Sequence, residues 1–147
     1  MNERENTEKL LASLHRNVTA ECDTLTSVLP MINDKFLVSS VTSQLEHYSR
    51  LANRAEDVMN SYGIRSKKPS VLSTAMMRGS VFVSTVFDSS DSHIAEMIER
   101  GTRRSADQLE REMIEAGRGA CDERAIRLCR DVIDYERREA DSVRDFI

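Results

Sequence analysis

Tryptophan is absent from this 147-residue chain, and glycine (5), proline (2) and aromatic residues (5%) are scarce. A β-sandwich or barrel needs many turns and aromatic or β-branched runs, and a dinucleotide-binding α/β domain needs glycine-rich turns after its strands. Neither suits this composition. No run of about 18 apolar residues occurs, so no membrane-spanning helix is expected. The chain also lacks a Gly-rich phosphate loop, a Cys-x-x-Cys pair and a Gly-x-Ser-x-Gly nucleophile elbow. The three cysteines, Cys22, Cys121 and Cys129, are odd in number and widely spaced. They form no disulfide framework and suit a reducing compartment. The first residues, Met1 to Glu5, lack the basic-then-apolar order of a signal peptide. A cytoplasmic location is the expectation.

A basic excess is missing too. The net charge is −4, and no basic face of the kind that nucleic-acid binders carry dominates. Residues 63–88, with four basic residues and one acidic, form the only positive stretch. Arg65, Lys67 and Lys68 there are read as a solvated loop. No nucleic-acid or membrane partner is expected.

What is present is helical periodicity. With 39% hydrophobic and 31% charged residues, the chain belongs among globular proteins. Leu11, Leu14, Val18, Cys22, Leu25 and Leu29 recur at intervals of three and four, which reads as a helix over residues 4–29. Pro30 stops it, and Asn33 or Asp34 can cap a second helix that carries Leu37, Val41, Leu45, Tyr48, Leu51, Ala55 and Met59 and ends at Gly63. The stripe resumes with Ile94, Ile98, Gly101, Ser105, Leu109 and Met113. It resumes again from about Cys121 with Ile126, Cys129, Ile133, Ala140, Val143 and Ile147. Short joints fold each pair back on itself, giving one domain over residues 1–147 built from helical hairpins 4–62 and 89–147. The connection over residues 63–88 is too long for a turn between bundle neighbours. It can run the length of the bundle and set the third helix parallel to the second. Within it, residues 71–87 are apolar nearly all round and read as an additional helix. Leu72, Met76, Val81, Phe82 and Phe87 there form the expected interface of a homo-oligomer, a dimer or larger. A competing reading makes residues 70–116 one helix of about 70 Å.

Chemistry in a bundle comes from polar side chains that point inward. On a wheel of 100° per residue, Glu21 lies about 60° from Val18, at the edge of the core sector. Gln44 and Tyr48 fall within the second helix's stripe, with His47 on its flank. Glu136 sits between Ile133 and Ala140, and His93 flanks the third stripe. Gln44 and Tyr48 are expected as buried polar groups that bond across the bundle. Glu21 and Glu136 either pair with arginines such as Arg50, Arg100 or Arg104, or meet as ligands.

As an architecture of hairpin, crossover and hairpin, the chain resembles the ferritin-like superfamily. Its segment Ser92-His93-Ile94-Ala95-Glu96-Met97 also resembles small bacterial bundle proteins, a likeness that brings no activity with it. The superfamily resemblance implies an all-α, ferritin-like four-helix bundle of two antiparallel helical hairpins with a long crossover. It also implies a di-metal centre, for which such proteins use a Glu from each of two helices and a Glu-x-x-His pair from each of the other two. Glu21 matches the first Glu. The second-helix pair reads Gln44-Leu45-Glu46-His47, with Gln in place of Glu. The fourth reads Glu136-Arg137-Arg138-Glu139, with Glu in place of His. Neutral Gln balances no metal charge, so the resemblance implies at most a single ion, iron or manganese, held by Glu21, His47, His93 and Glu136. Two functions therefore stand: a structural or interaction bundle with no assignable catalytic activity, and a metal-binding oxidase, peroxide scavenger or iron-handling protein.

Overall fold

Each long helix begins on a side chain suited to cap it. Asn2, Asp34, Ser90 and Asp122 accept hydrogen bonds from the backbone N–H groups of Glu5, of Phe36 and Leu37, of His93, and of Arg124, satisfying donors that a helix start leaves without partners. A computed structural model describes residues 1–64 and 90–147. Four long helices and no strand occur among them: α1 (Glu3–Val28), α2 (Lys35–Ser61), α3 (Asp91–Gly117) and α4 (Glu123–Val143). Pro30 converts the end of α1 into a short 3-10 turn, Leu29–Met31, before Ile32 goes extended. At the end of α2, Gly63 takes φ +71, its N–H bonds the Asn60 carbonyl, and the Ile64 N–H reaches back to Met59. This is a Schellman turn, and the left-handed residue it needs is most easily a glycine.

A single helix over residues 70–116 does not form. Ser90 is extended (φ −63, ψ 147) and α3 starts at Asp91. The apolar stripe runs on across this point, but the cap bond from the His93 N–H to the Ser90 hydroxyl fixes a helix start. The expected crossover helix, with Leu72, Met76, Val81, Phe82 and Phe87, lies outside the described residues. Ile147 departs from its expected place on the last apolar face. It is half exposed, because α4 ends at Val143 and a 3-10 turn, Arg144–Phe146, alters the spacing.

Contacts at the two ends set the helix directions. At one end the Asp91 carboxylate accepts from the backbone N–H groups of Asn33 (2.9 Å) and Asp34 (2.7 Å). The start of α3 thus sits beside the α1–α2 turn. At the other end Asn6 donates to the Ala120 carbonyl, the Asp122 N–H donates to the Thr7 hydroxyl, and the Tyr62 hydroxyl donates to Asp122 at 2.7 Å. The starts of α1 and α4 and the ends of α2 and α3 therefore share this end. α1 packs antiparallel to both α2 and α3, and α4 does the same, while α2 and α3 run parallel. Ile64 and Ser90 consequently lie at opposite ends of the bundle, about 40 Å apart for a helix of 27 residues.

One apolar core joins all four helices. Leu11, Leu14, Val18 and Leu25 of α1, Leu37 and Val41 of α2, Ile94 of α3, and Cys129 and Val132 of α4 are fully buried in it. Burial of each large side chain stabilises the fold by about 1.5–3 kcal/mol. No helix of the described residues is long and apolar enough to cross a membrane.

Asp122 ties one end together. It caps α4, and its carboxylate takes bonds from Arg124 and from Tyr62 on α2. These donors hold its pKa well below the usual carboxylate range. Asp122→Ala is expected to lower the unfolding free energy by about 1–2 kcal/mol in urea titrations, with an unchanged m-value. A loss below about 0.3 kcal/mol would show that the hub does not hold the end together.

Candidate functional site: a buried carboxylate pair

The apolar stripes are interrupted at mid-height, where all four helices place polar side chains inward. Val18 and Cys22 bracket this level on α1 and are fully buried. Asn17 and Glu21, one helical turn apart, project from the same level. Glu21 is 6% exposed, and its carboxylate accepts from the Ser105 hydroxyl at 2.7 Å and the Thr102 hydroxyl at 3.1 Å, both on α3. Glu136 of α4 is fully buried. It accepts from the Asn17 amide at 3.2 Å and from the Tyr48 hydroxyl of α2 at 3.3 Å. Asn17 donates as well to the Ser105 carbonyl at 3.0 Å. Each of the four carboxylate oxygens thus has its own protein donor.

Arginines play no part in these bonds. Arg50 lies beside His47, Arg100 pairs with Glu96 on its own helix, and Arg104 is exposed. The alternative in which Glu21 and Glu136 pair with these residues is therefore not what forms. A guanidinium at this depth would itself have to be desolvated, whereas hydroxyls and an amide reach the same oxygens at smaller cost.

Without a cation, burial governs the acidity. Desolvation raises the pKa of Glu21, and the bonds from Ser105 and Thr102 only partly oppose this. Desolvation and the neighbouring Glu21 charge push Glu136 up to about 9, against the lowering effect of Asn17 and Tyr48. Two carboxyls that repel across a dry core cannot both ionise readily, so the pair carries at least one proton at neutral pH. Burial and both carboxylates also raise the Tyr48 phenol, which stays a donor. Burial beside Glu21 and Asp23 pushes the Cys22 thiol up to about 12, which removes it as a nucleophile.

The four residues suggested as metal ligands do not converge. Glu21 and Glu136 share the core. His47 lies outside it, stacked on Tyr135 with ring centroids 3.8 Å apart, and Tyr135 stands edge-on to Tyr48. Partial burial and the Arg50, Arg138 and Arg54 guanidinium groups lower the His47 pKa, and those charges also repel a cation. His93 is in the first turn of α3, nine residues before Thr102, or about 13 Å along the axis. No three His, Cys, Asp or Glu side chains group as a metal site among the described residues.

Gln44 is almost fully buried and donates weakly to Ser40, while its Oε1 has no partner among the described residues; the buried Asn17 Oδ1 likewise has none. Sequence reasoning missed Asn17, Thr102 and Ser105. Ser105 left a signal, a small polar residue within an apolar stripe, and Asn17 lies one turn from Glu21. Thr102 left none. Asn17 and Ser105 also line a groove of about 270 Å³ between α1 and α3, so they stand between the carboxylates and solvent.

No protein-family model matches this chain, and no curated protein or solved structure matches it either.

The pair gives stability a definite pH dependence. Folded carboxyls with raised pKa values bind protons that the unfolded chain releases in the ordinary carboxylate range. Stability is then greatest below that range and falls as pH rises toward about 9. Each extra proton held by the folded state gives a slope of about 1.4 kcal/mol per pH unit. Glu139, also raised by burial, acts in the same direction. Glu136→Gln is expected to flatten the fall between pH 6 and 9 and to be more stable than the parent at pH 8. Urea titrations across this range check it, and a parent whose stability is constant or rises over the interval would contradict it.

Proposed function

We propose that this chain is a ferritin-like helical bundle that works as a structural or interaction protein, with no catalytic centre of its own. The observation that carries this reading is the complete engagement of the four carboxylate oxygens by Ser105, Thr102, Asn17 and Tyr48. The two carboxyls are satisfied by protein donors and one or more protons, so the layer has a structural use without any added group. A buried polar layer of this kind fixes which residues of neighbouring helices stand at the same height, at some cost in stability. The antiparallel hairpins and the parallel α2 and α3 are in keeping with the one-crossover layout. The three free cysteines are in keeping with a reducing, cytoplasmic setting. Assembly into a homo-oligomer, a dimer or larger, is part of the proposal. Light scattering at micromolar concentration is expected to give at least twice the 16.7 kDa chain mass, and a strict monomer would remove that part.

A second reading is favoured by the two buried amide oxygens without partners among the described residues, Asn17 Oδ1 and Gln44 Oε1. In this reading these oxygens, with the Glu21 and Glu136 carboxylates, would hold one hard cation, manganese better than iron, without either histidine. Elemental analysis separates the two readings. Stoichiometric metal in the purified parent, lost in Glu136→Gln, would replace the first with the second.

A further inference from the structure

The outer face of the α3–α4 hairpin carries a groove of about 490 Å³ that the polar core does not explain. Met113 and Ile114 near the end of α3, and Ile126 on α4, supply apolar walls. Ile114 is 52% exposed, one of four large hydrophobic side chains so displayed among the described residues. Arg127 and Arg130 of α4 stand along the groove and are exposed. Neither forms an ion pair among the described residues, in contrast to Arg124 and Arg137 of the same helix, which pair with Asp122 and Glu110. Glu123 is the one acidic side chain lining the groove, and Arg118, paired with Glu115, adds a third guanidinium.

We propose that this groove docks an acidic amphipathic helix of a partner protein. A mixed groove, with Met113, Ile114 and Ile126 as its apolar contacts and the guanidinium groups of Arg127 and Arg130 uncommitted among the described residues, matches a helix with a narrow apolar stripe and carboxylates beside it. A second copy of this chain suits it poorly. A two-fold contact centred on the groove would set Arg127 and Arg130 against the same residues of the other copy. The groove is open along its length, which fits a helix better than a small ligand buried on most sides. The inference rests on the interaction-protein reading and gives it a partner class.

Cys121 provides a native reporter. It lines the groove and is partly exposed, whereas Cys22 and Cys129 are buried. The experiment uses the full chain and a displayed library of 21-residue amphipathic helices, with Leu, Ile or Phe at the apolar positions and either Glu or Lys at each flanking position. The selected pool is expected to move to Glu, to slow iodoacetamide alkylation of Cys121 at least fivefold, and to bind the Arg127→Glu/Arg130→Glu variant at least tenfold more weakly. Ile114→Asp is expected to weaken binding to a similar degree. All three sites are at the surface, so circular dichroism should show parent-like melting. Failure to enrich any peptide, a pool with no preference for Glu, or binding indifferent to these variants would overturn the proposal. Displacement of selected peptides by vesicles of phosphatidylserine, dependent on the same arginines, would also overturn it in favour of a membrane surface. These results do not depend on metal content, so a failure here leaves the bundle's own assignment to elemental analysis.

Discussion

Two carboxylic acids buried at one level of a helical bundle set the terms for the rest of the molecule. Removing a carboxylate from water costs several kcal/mol unless it is paired, hydrogen-bonded or protonated. Here Glu21 and Glu136 lie on α1 and α4, which sit diagonally across the bundle, and the groups that bond them come from α1, α2 and α3. Ser105 and Thr102 serve Glu21, while Asn17 and Tyr48 serve Glu136. The arrangement works in one register only. Sliding α3 by a turn past α1 would withdraw both hydroxyls from Glu21 and leave a desolvated acid beside aliphatic side chains. Apolar stripes permit several neighbouring registers, and the polar layer selects among them.

The end contacts act with that layer. Asp91 binds the α1–α2 turn at one end, and Asp122 gathers α1, α2 and α4 at the other. Both carboxylates are only partly buried, and both accept from backbone N–H groups that helix starts and turns leave over. Asp122 and the buried pair have opposite pH behaviour. Asp122 contributes stability that is lost as the solution becomes acidic, while the buried pair contributes stability that is lost as it becomes alkaline.

Helix periodicity carried most of the architecture into view. The stripes through Val18, Tyr48, Ile98 and Ile133 belong to the four helices, and Pro30, Asp34 and Gly63 mark boundaries by mechanisms that are local in sequence. The start of α3 was less legible, because the stripe crosses Ser90 while the cap bond that breaks the helix depends on a single hydroxyl. Of the site, the inward tendency of Glu21, Gln44, Tyr48 and Glu136 could be read from helical wheels. Their partners could not, because height across two hairpins depends on the intervening connection. Thr102 looks like any surface threonine until α1 is placed beside it. His47 and His93, attractive by residue type, fall on helix flanks, where a rotation of a few tens of degrees separates a ligand from a surface ring.

The most direct measurement is the infrared carboxyl spectrum of the protein in D₂O at pH 7. A protonated-carboxyl stretch is expected in the parent, persisting to about pH 8 and missing from the Glu21→Gln/Glu136→Gln double variant. A parent spectrum with only ionised carboxylate bands at pH 7, in metal-free protein, would contradict a protonated carboxyl held in the buried polar layer.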